Sequence, residues 1–330
     1  MGFRHRIKTA ALIKIGKSRY IKIIEEEESI KQKYKCISST LESPVRFEIP
    51  LEAINYIIAG KATRFFRFKI LPVMVGSIRG IQKGFKDIKN NSSSPKTKIL
   101  DTELQELQEF ITSLNIGAIG YCKLPPEFIF QNKGILYENC IVLIMEMKKE
   151  KIDKAPSYDT FHEVHRTYRD LGYAVNKIAS YLRKKGFGAH PIHPLGGAVL
   201  TPPLAKMAGM GWQGRHGLII TPKYGPRMRI ATIFTTIDNF PTPIDNPHKW
   251  IEKWCEQCGL CIRKCPTSAI RNSPIKRGKN LLNHIETEKC FPYFLENHGC
   301  SVCIKECQFN KIGYEQLKSK IKKNYEIYQI

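Results

Sequence analysis

The chain has 330 residues and a formal net charge of +23 at pH 7, from 53 Lys and Arg against 30 Asp and Glu. Hydrophobic residues make up 42% of it, which fits a globular protein with a sizeable core, and no run of 18 apolar residues occurs, which argues against a membrane-spanning helix. The N-terminal residues show neither an apolar signal segment nor a twin-Arg pair, so we expect a cytoplasmic protein.

The positive charge is unevenly distributed along the chain. The first 100 residues contain 21 basic and 8 acidic residues, so 13 of the excess positive charges lie there. This asymmetry predicts an anionic partner, either a membrane surface to which the protein binds peripherally or tRNA. A well-solvated, Lys-rich surface is the alternative interpretation.

Residues 1–95 are interpreted as a basic N-terminal extension that associates with a surface. The part before Pro50 is expected to be loosely organised. The segment Glu52–Phe85 is rich in Ile, Phe, Lys and Arg, which favours a pair of amphipathic basic helices. Asn90–Pro95 has the composition of a turn-rich linker.

Residues 96–240 alternate short helical and strand patterns, which is typical of an α/β or α+β domain. A glycine-rich loop at Gly209–Gly217 interrupts the second half of this region, and Pro241–Pro247 marks its end. The predicted elements are helices at Thr102–Ser113, Tyr168–Lys185 and Leu204–Ala208, and strands at Ile116–Tyr121, Cys140–Met145, Leu218–Thr221 and Arg229–Thr235.

Eight of the eleven cysteines crowd into the last third of the chain, in residues 241–330. The segment Cys255–Pro266 has the bacterial ferredoxin spacing C-x2-C-x2-C-x3-C-P, in which three thiolates bind one [4Fe–4S] cluster and the fourth binds the other. A zinc ribbon or a set of disulfides is the alternative. The spacing predicts two clusters, one held by Cys255, Cys258, Cys261 and Cys307, the other by Cys265, Cys290, Cys300 and Cys303. The remaining cysteines, Cys36, Cys122 and Cys140, are scattered along the chain, and Cys122 and Cys140 are interpreted as structural.

The run from Ala208 to Arg229 resembles the signature of corrinoid-dependent reductive dehalogenases and, more distantly, that of epoxyqueuosine reductases. The four glycines at positions 209, 211, 214 and 217 would let the backbone approach a large flat ligand closely. The resemblance implies an α+β protein with a nitroreductase-like corrinoid-binding core at residues 96–240 and a small ferredoxin-like domain with two [4Fe–4S] clusters at residues 241–330. The residues that it assigns to binding the cofactor, a base-off cobalamin, are Gly209, Gly211, Trp212, Gly214, Arg215, His216, Gly217, Thr221 and Tyr224.

The resemblance also implies catalytic residues. Tyr168 corresponds to the proton-donating tyrosine of the dehalogenases, and Arg229 to its cationic partner, because a phenol donates a proton more readily beside a positive charge. Asp170 corresponds to the catalytic acid of the epoxyqueuosine reductases. The implied reaction passes electrons through the clusters to cobalamin, which reduces a small-molecule substrate. The implied electron donor is a ferredoxin or flavodoxin.

Two departures from the dehalogenase pattern leave alternatives open. The Gly-Asn-Asp-Thr stretch of that family is replaced by His193–Gly197, and Cys307 is followed by Gln308 in place of Pro. One alternative is an epoxyqueuosine reductase-like enzyme of tRNA modification, which the positive charge would suit. The other is an electron carrier or reductive activator that has lost the corrinoid.

Overall fold

The computed structural model describes residues 3–59, 70–278 and 281–327. Its N-terminal third is helical, so the prediction of a loosely organised segment before Pro50 is wrong. Tyr20 and Ile23 of the first helix form one apolar cluster with Ile81 of the third, and burial of these side chains stabilises the helix. The elements are α1 (Phe3–Lys33), β1 (Ile37–Ser38), α2 (Ile49–Ile58) and α3 (Leu71–Lys86).

A buried ion network joins α1 to the rest of the protein. The Glu27 carboxylate lies 3.1 Å from the Arg46 guanidinium and 2.8 Å from the Lys133 ammonium. The side chains of Glu27 and Lys133 are only 4% and 2% exposed. Since a buried charge without a partner is costly, these ion pairs fix the position of α1 along the chain segment that contains Lys133.

The predicted amphipathic pair at Glu52–Phe85 corresponds to α2 and α3, while residues 60–69 lie outside the described residues. One face of α3 is covered by protein. The Asn176 side-chain amide donates a hydrogen bond to the Gly80 carbonyl at 2.8 Å, and Gly76 lies against the Arg169 side chain. Binding of this region to a membrane stays a prediction.

The middle of the chain is an α+β domain around a four-stranded sheet. Its helices are α4 (Asp101–Ser113), α5 (Lys149–Ile152), α6 (Tyr158–Lys184) and α7 (Thr201–Met207). Its strands are β2 (Ala118–Lys123), β3 (Gly134–Ile135), β4 (Asn139–Glu146), β5 (Ala189–Ile192), β6 (Trp212–Gln213), β7 (Ile219–Ile220) and β8 (Met228–Thr235). The sheet is antiparallel throughout, with the order β2–β4–β8–β5, while β1 pairs with β3 and β6 with β7.

The long helix α6 starts ten residues earlier than the sequence predicts. The Ser157 hydroxyl accepts a hydrogen bond from the Thr160 backbone N–H at 3.2 Å and caps the helix. Phe161 and Val164 extend the buried stripe upstream of Leu171. Tyr168 therefore lies inside the helix and not at its start. α4 and α6 cover one face of the sheet, and α7 contributes to the apolar cluster on the other.

The C-terminal module consists of short helices and one β-hairpin. The hairpin is β9 (Ile270–Arg277) and β10 (Leu281–Ile285), which pair in antiparallel register. The helices are α8 (Trp250–Cys258), α9 (Leu260–Arg263), α10 (Thr287–Glu296), α11 (Val302–Lys305), α12 (Gln308–Lys311) and α13 (Tyr314–Ile327). Among the described residues, no helix has the length and apolar character needed to cross a membrane.

Candidate functional site

The first cysteine motif lies on two short helices joined by a sharp turn. α8 carries Cys255 and Cys258, and Gly259 then adopts a φ of +52°, which glycine tolerates without strain. Because this residue ends α8, α9 begins at once and carries Cys261. Cys265 follows in the next turn, where the backbone N–H of Ala269 lies 3.4 Å from its sulfur.

The second cysteine motif lies at the other end of the module. Cys290 is in α10 and Cys303 in α11. Between these helices, all four residues of His298–Ser301 have positive φ, which bends the chain tightly around Cys300. Cys307 precedes α12 as its N-cap residue.

Neighbouring thiols raise one another's pKa values, and most of these effects lie within two groups of four thiols. Burial raises the pKa of Cys255 to about 12, and the thiolates of Cys261 and Cys258 add to this effect. Burial also raises the pKa of Cys307, together with the charges of Cys255 and Cys261. These four residues are the ones that the spacing predicts for the first cluster.

The other four thiols interact in the same way. Burial raises the pKa of Cys290 to about 11, with contributions from Cys300 and Cys265. Cys303 has its pKa raised by burial and then by Cys300, Cys261, Cys290 and Cys265. Burial acts to raise the pKa of Cys265 too, but hydrogen bonds from Thr267, Ala269 and Ile270 outweigh it and hold the pKa below its usual value. Cys261 and Cys303 connect the two groups.

The donor set fits iron–sulfur clusters. All eight thiols are free of disulfides, and crowded thiolates repel one another unless a cation lies among them. Coordinated iron removes that cost, because each ligand thiol loses its proton and the metal cation neutralises the resulting thiolate charge. Hydrogen bonds to sulfur, such as the one from Ala269 to Cys265, are typical of cluster ligands. Among the described residues, no group of three or more His, Cys, Asp or Glu side chains is arranged to hold a single metal ion.

The structure brings Tyr168 and Arg229 together. Arg229 is on β8, and its guanidinium carbon lies 4.2 Å from the centroid of the Tyr168 ring on α6. The Nε of Arg229 is buried and has no hydrogen-bond partner. Tyr168 packs against an apolar cluster that contains Val164 and Ile304, and Cys303, a predicted iron–sulfur ligand, packs against the same residues. The tyrosine–arginine pair therefore lies beside the second thiol group.

His165, on the same helix as Tyr168, belongs to the same region. Its ring lies 4.1 Å from the Phe161 ring and 6.1 Å from the Tyr168 ring. Nδ1 is 2.9 Å from the Phe161 carbonyl oxygen, which can only accept, so Nδ1 carries the proton. Burial and the positive charge of Arg229 lower the pKa of His165 to about 4. The imidazole is thus neutral at pH 7.

Asp170 lies away from the Tyr168–Arg229 pair. Its carboxylate lies 2.9 Å from the Arg166 guanidinium and 2.7 Å from that of Arg169. Two residues along a helix correspond to about 200°, so Asp170 and Tyr168 point to nearly opposite sides of α6. Asp170 is engaged in surface ion pairs on its own helix.

The predicted cofactor residues at Gly209–Gly217 form a tight hairpin. A Cβ atom on Gly211 would lie 2.2 Å from the Ile220 carbonyl oxygen, so this glycine lets β6 approach β7. Gly209 and Gly217 have φ of +67° and +78°, and a Cβ atom on Gly214 would lie 2.7 Å from the Ile220 side chain. These close approaches are to protein atoms, whereas the sequence argument expected an approach to a flat ligand.

Four other predicted cofactor residues have protein partners. The Lys206 ammonium lies 3.7 Å from the Trp212 ring centroid, and the Arg215 guanidinium donates to the Asn272 carbonyl at 2.7 Å. The Thr221 hydroxyl donates to the Gly225 carbonyl and accepts from the Tyr224 N–H, which closes the turn before β8. In addition, the backbone of Arg215 donates a hydrogen bond that lowers the pKa of Cys255 against the effect of burial.

Buried imidazoles lie where this hairpin meets the C-terminal module. His216 is 1% exposed and its Nε2 has no partner, and both ring nitrogens of the buried His284 lack one. Burial and the proximity of His284 lower the pKa of His216 to about 4. Trp254, which packs against the same apolar cluster as Trp212, also has a buried Nε1 without a partner. Unpaired buried polar atoms cost free energy, so this region fits a ligand that carries several amide or phosphate groups. A corrinoid is such a ligand.

Sequence reasoning did not identify His284. Alternation along β10 does not place it on the buried face of Leu281, because the strand pairing shifts between Asn283 and Ile285. Nothing in a single sequence indicates that it lies near His216. The Gly-rich hairpin also packs onto the first thiol group, because Ile220 and Cys307 belong to one apolar cluster against which Trp212 and Cys255 pack.

The sequence is similar to a cluster-binding domain and to two kinds of reductase. Residues 248–271 match the 4Fe–4S binding domain. Over 231 residues the chain is 29% identical to the tetrachloroethene reductive dehalogenase of Desulfitobacterium hafniense, a match that covers 66% of this chain and 40% of that protein. It is 32% identical over 127 residues to the epoxyqueuosine reductase of Escherichia coli K12, covering 36% and 31%. Over these residues the chain is similar to both reductive dehalogenases and epoxyqueuosine reductases.

The tertiary structure is similar to that of a solved reductive dehalogenase as well. The catabolic reductive dehalogenase NpRdhA, solved with 3-bromo-4-hydroxybenzoic acid, superposes with a TM-score of 0.59 at 19% identity, covering 71% of this chain and 37% of that one. The predicted α+β fold with a ferredoxin-like C-terminal module is therefore confirmed. The chain spans about 40% of the length of the dehalogenases that it matches.

Proposed function

We propose that the chain is an iron–sulfur reductase that passes electrons through two [4Fe–4S] clusters to a base-off cobalamin, which reduces a small-molecule substrate. The observation that carries this proposal is the contact between Arg229 and Tyr168 next to the second thiol group. It unites a proton donor, a positive charge and an electron-transfer site in one place.

Each cofactor has its own set of residues in this proposal. The two thiol groups hold the clusters, and the hairpin of β6 and β7, with His216 and His284, holds the corrinoid. When bound, the corrinoid supplies the low-potential metal at which the substrate is reduced. The unpaired nitrogens of both histidines support this assignment, since amide groups around a corrin ring would satisfy them.

The chain itself supplies the proton. The Tyr168 hydroxyl donates it to the reduced substrate, and the Arg229 guanidinium stabilises the phenolate left behind. Neutral His165 adds no second positive charge beside Arg229. The apolar side chains of Met147, Val164 and Ile304 limit the access of water to the tyrosine ring.

The cofactor content of anaerobically purified protein tests the proposal. We expect eight iron and eight sulfide per chain, and one cobalamin after reconstitution, seen in the visible spectrum and in the acid extract. Zinc without labile sulfide would contradict the clusters. Full iron content without any cobalamin binding would contradict the corrinoid and favour an electron carrier or reductive activator.

An epoxyqueuosine reductase-like activity on tRNA is the second candidate. The net charge of +23 and the 32% identity to the Escherichia coli enzyme favour it. The ion pairs of Asp170 with Arg166 and Arg169 argue against it, because they leave this carboxylate away from Tyr168. Binding of tRNA that weakens steeply with salt, together with loss of turnover in Asp170→Asn but not in Tyr168→Phe, would replace the first proposal by this one.

A further inference from the structure

Two cysteines outside the C-terminal module face each other across the sheet. Cys122 on β2 and Cys140 on β4 are directly opposite in the antiparallel register, and both belong to the same buried apolar cluster. Residues directly opposite in such a pair have Cα atoms about 4.5–5.5 Å apart. A disulfide requires a Cα separation of about 4.4–6.8 Å. The backbone therefore already meets the requirement for a cross-strand disulfide.

The two thiols also interact with each other. Both are free, and the pKa of Cys140 is raised by its burial and by a hydrogen bond with Cys122. Cys36, the third cysteine outside the module, instead contacts the Ile30 carbonyl oxygen, with its sulfur at 3.7 Å. Cys122 and Cys140 thus form a dithiol, and Cys36 offers a comparison within the same chain.

A cavity gives access to one member of the dithiol. Cys122 lines a cavity of about 280 Å³ together with Asn139, Met207, Phe240 and Pro243. Cys140 is fully buried, whereas Cys122 is 5% exposed. A small reagent that enters the cavity would therefore reach Cys122 first.

We propose that Cys122 and Cys140 are a reversible redox modification site that reacts with low-molecular-weight disulfides entering through this cavity. The Cys122 thiolate attacks one sulfur of the reagent RSSR, forms a mixed disulfide and releases RS⁻. The Cys140 sulfur then attacks the Cys122 sulfur and releases the second RS⁻. The two thiol protons end on these leaving groups, so one RSSR becomes two RSH while the protein dithiol is oxidised to a disulfide.

The order of the two steps follows from exposure. Cys140 cannot meet the reagent directly, but it lies next to Cys122 and resolves the mixed disulfide within the protein. Excess RSH reduces the protein disulfide again by the same two exchange steps in reverse. The site is thus reversible, and it is independent of the proposed reductase activity.

Peptide mapping of the wild-type, cluster-loaded protein tests this inference. The protein is incubated anaerobically with glutathione disulfide, alkylated in denaturant and digested with trypsin without reduction. Cleavage after Lys98, Lys123, Lys133 and Lys148 places Cys122 in the peptide 99–123 and Cys140 in the peptide 134–148, each with no other cysteine. We expect the two peptides joined, lighter by two hydrogen atoms than their sum, and separated again by dithiothreitol.

Two variants sharpen the test. Cys122→Ser should leave Cys140 free for alkylation, because no mixed disulfide forms, whereas Cys36→Ser should leave the cross-link unchanged. Recovery of both wild-type peptides in the alkylated form at every glutathione disulfide concentration would overturn the proposal. A mixed disulfide on Cys122 that never closes onto Cys140 would overturn it as well.

Discussion

The guanidinium carbon of Arg229 lies 4.2 Å from the centre of the Tyr168 ring, over its face. Both residues belong to the most deeply packed elements of the domain. α6 buries Leu171, Val175 and Ile178 against the sheet, and β8 lies between β4 and β5. The geometry of the pair is therefore set by the core and not by a loop.

Tyr168→Phe should lower turnover by about 100-fold or more, because a positioned general acid contributes roughly 10²–10⁴ in rate. Iron, sulfide and cobalamin content should be unchanged. Tyr173→Phe is the matched control, because Tyr173 is on the same helix with Lys177 4.6 Å from its ring centroid but is 61% exposed. Equal activity of the two variants, measured with a chemical reductant, would rule out Tyr168 as the proton donor.

Cys258→Ser should remove the first cluster and spare most of the second, because Cys258 interacts with Cys255 and Cys261 within one thiol group. Iron content should fall by about half, and the low-temperature electron paramagnetic resonance spectrum of the reduced protein should lose the coupling between two clusters. Cys36→Ser should retain all iron. Loss of both clusters in equal measure would argue against two separate sites.

Gly211→Ala should destabilise the protein strongly, because its Cβ atom would lie 2.2 Å from the Ile220 carbonyl oxygen. The Ile220 carbonyl belongs to the backbone and cannot move aside as the end of a flexible side chain can. The added methyl group would therefore force β6 and β7 apart. Gly16→Ala is the comparison, since a Cβ atom there meets nothing within 4 Å and the residue is inside α1. We expect it to stabilise the protein by about 0.5–1 kcal/mol. Thermal unfolding that ranks the two variants the other way would contradict the hairpin geometry.

Glu27→Gln should cost about 3–5 kcal/mol of unfolding free energy, because it removes the charge that compensates the buried Lys133 and Arg46. Glu28→Gln is the control, as Glu28 also contacts Lys133, at 3.6 Å, but is 45% exposed. An exposed pair contributes about 0–1 kcal/mol. Urea unfolding distinguishes the two, and similar losses would show that the ion network is not buried in solution.

His193→Asn should make stability less sensitive to acid. Burial lowers the pKa of His193 to about 4 in the folded state, against an ordinary value of 6.5. Between these values the unfolded chain binds one more proton at this residue, so the free energy of unfolding falls as the pH falls through this window. The variant should lose about 1.4 kcal/mol per pH unit from that slope. Urea midpoints between pH 7 and 5 measure it, and an unchanged slope would contradict the buried, neutral state.

Local patterns made much of the site predictable. The proximity of Cys255, Cys258 and Cys261 was predictable because two-residue spacings lie within single turns, where sequence distance and spatial distance agree. The stripe of Leu171, Val175 and Ile178 likewise identified α6, and the run of apolar residues at Cys140–Met145 identified β4. The fold of α1 was not predictable, since its stability depends on Lys133, more than 100 residues away.

The neighbours of the glycines were not predictable for a related reason. Four glycines in a short run indicate close approach, but the sequence does not say whether the neighbour is a ligand or the chain itself. Here the neighbour of Gly211 is Ile220. The sequence prediction began α6 at Tyr168 because it did not include Ser157 as the N-cap residue. In the structure Tyr168 lies in the interior of the helix.

Hydrogen bonds between the C-terminal module and the chain around α5 have a consequence for kinetics. The Lys305 ammonium donates to the Ala155 carbonyl, and the Asn310 amide to the Asp153 carboxylate, each at 2.9 Å. In the reductase that we propose, a module tied down in this way would not swing or re-dock between accepting an electron and passing it on. The internal electron-transfer step should then be insensitive to solvent viscosity, and added glycerol should slow only the encounter with the external donor.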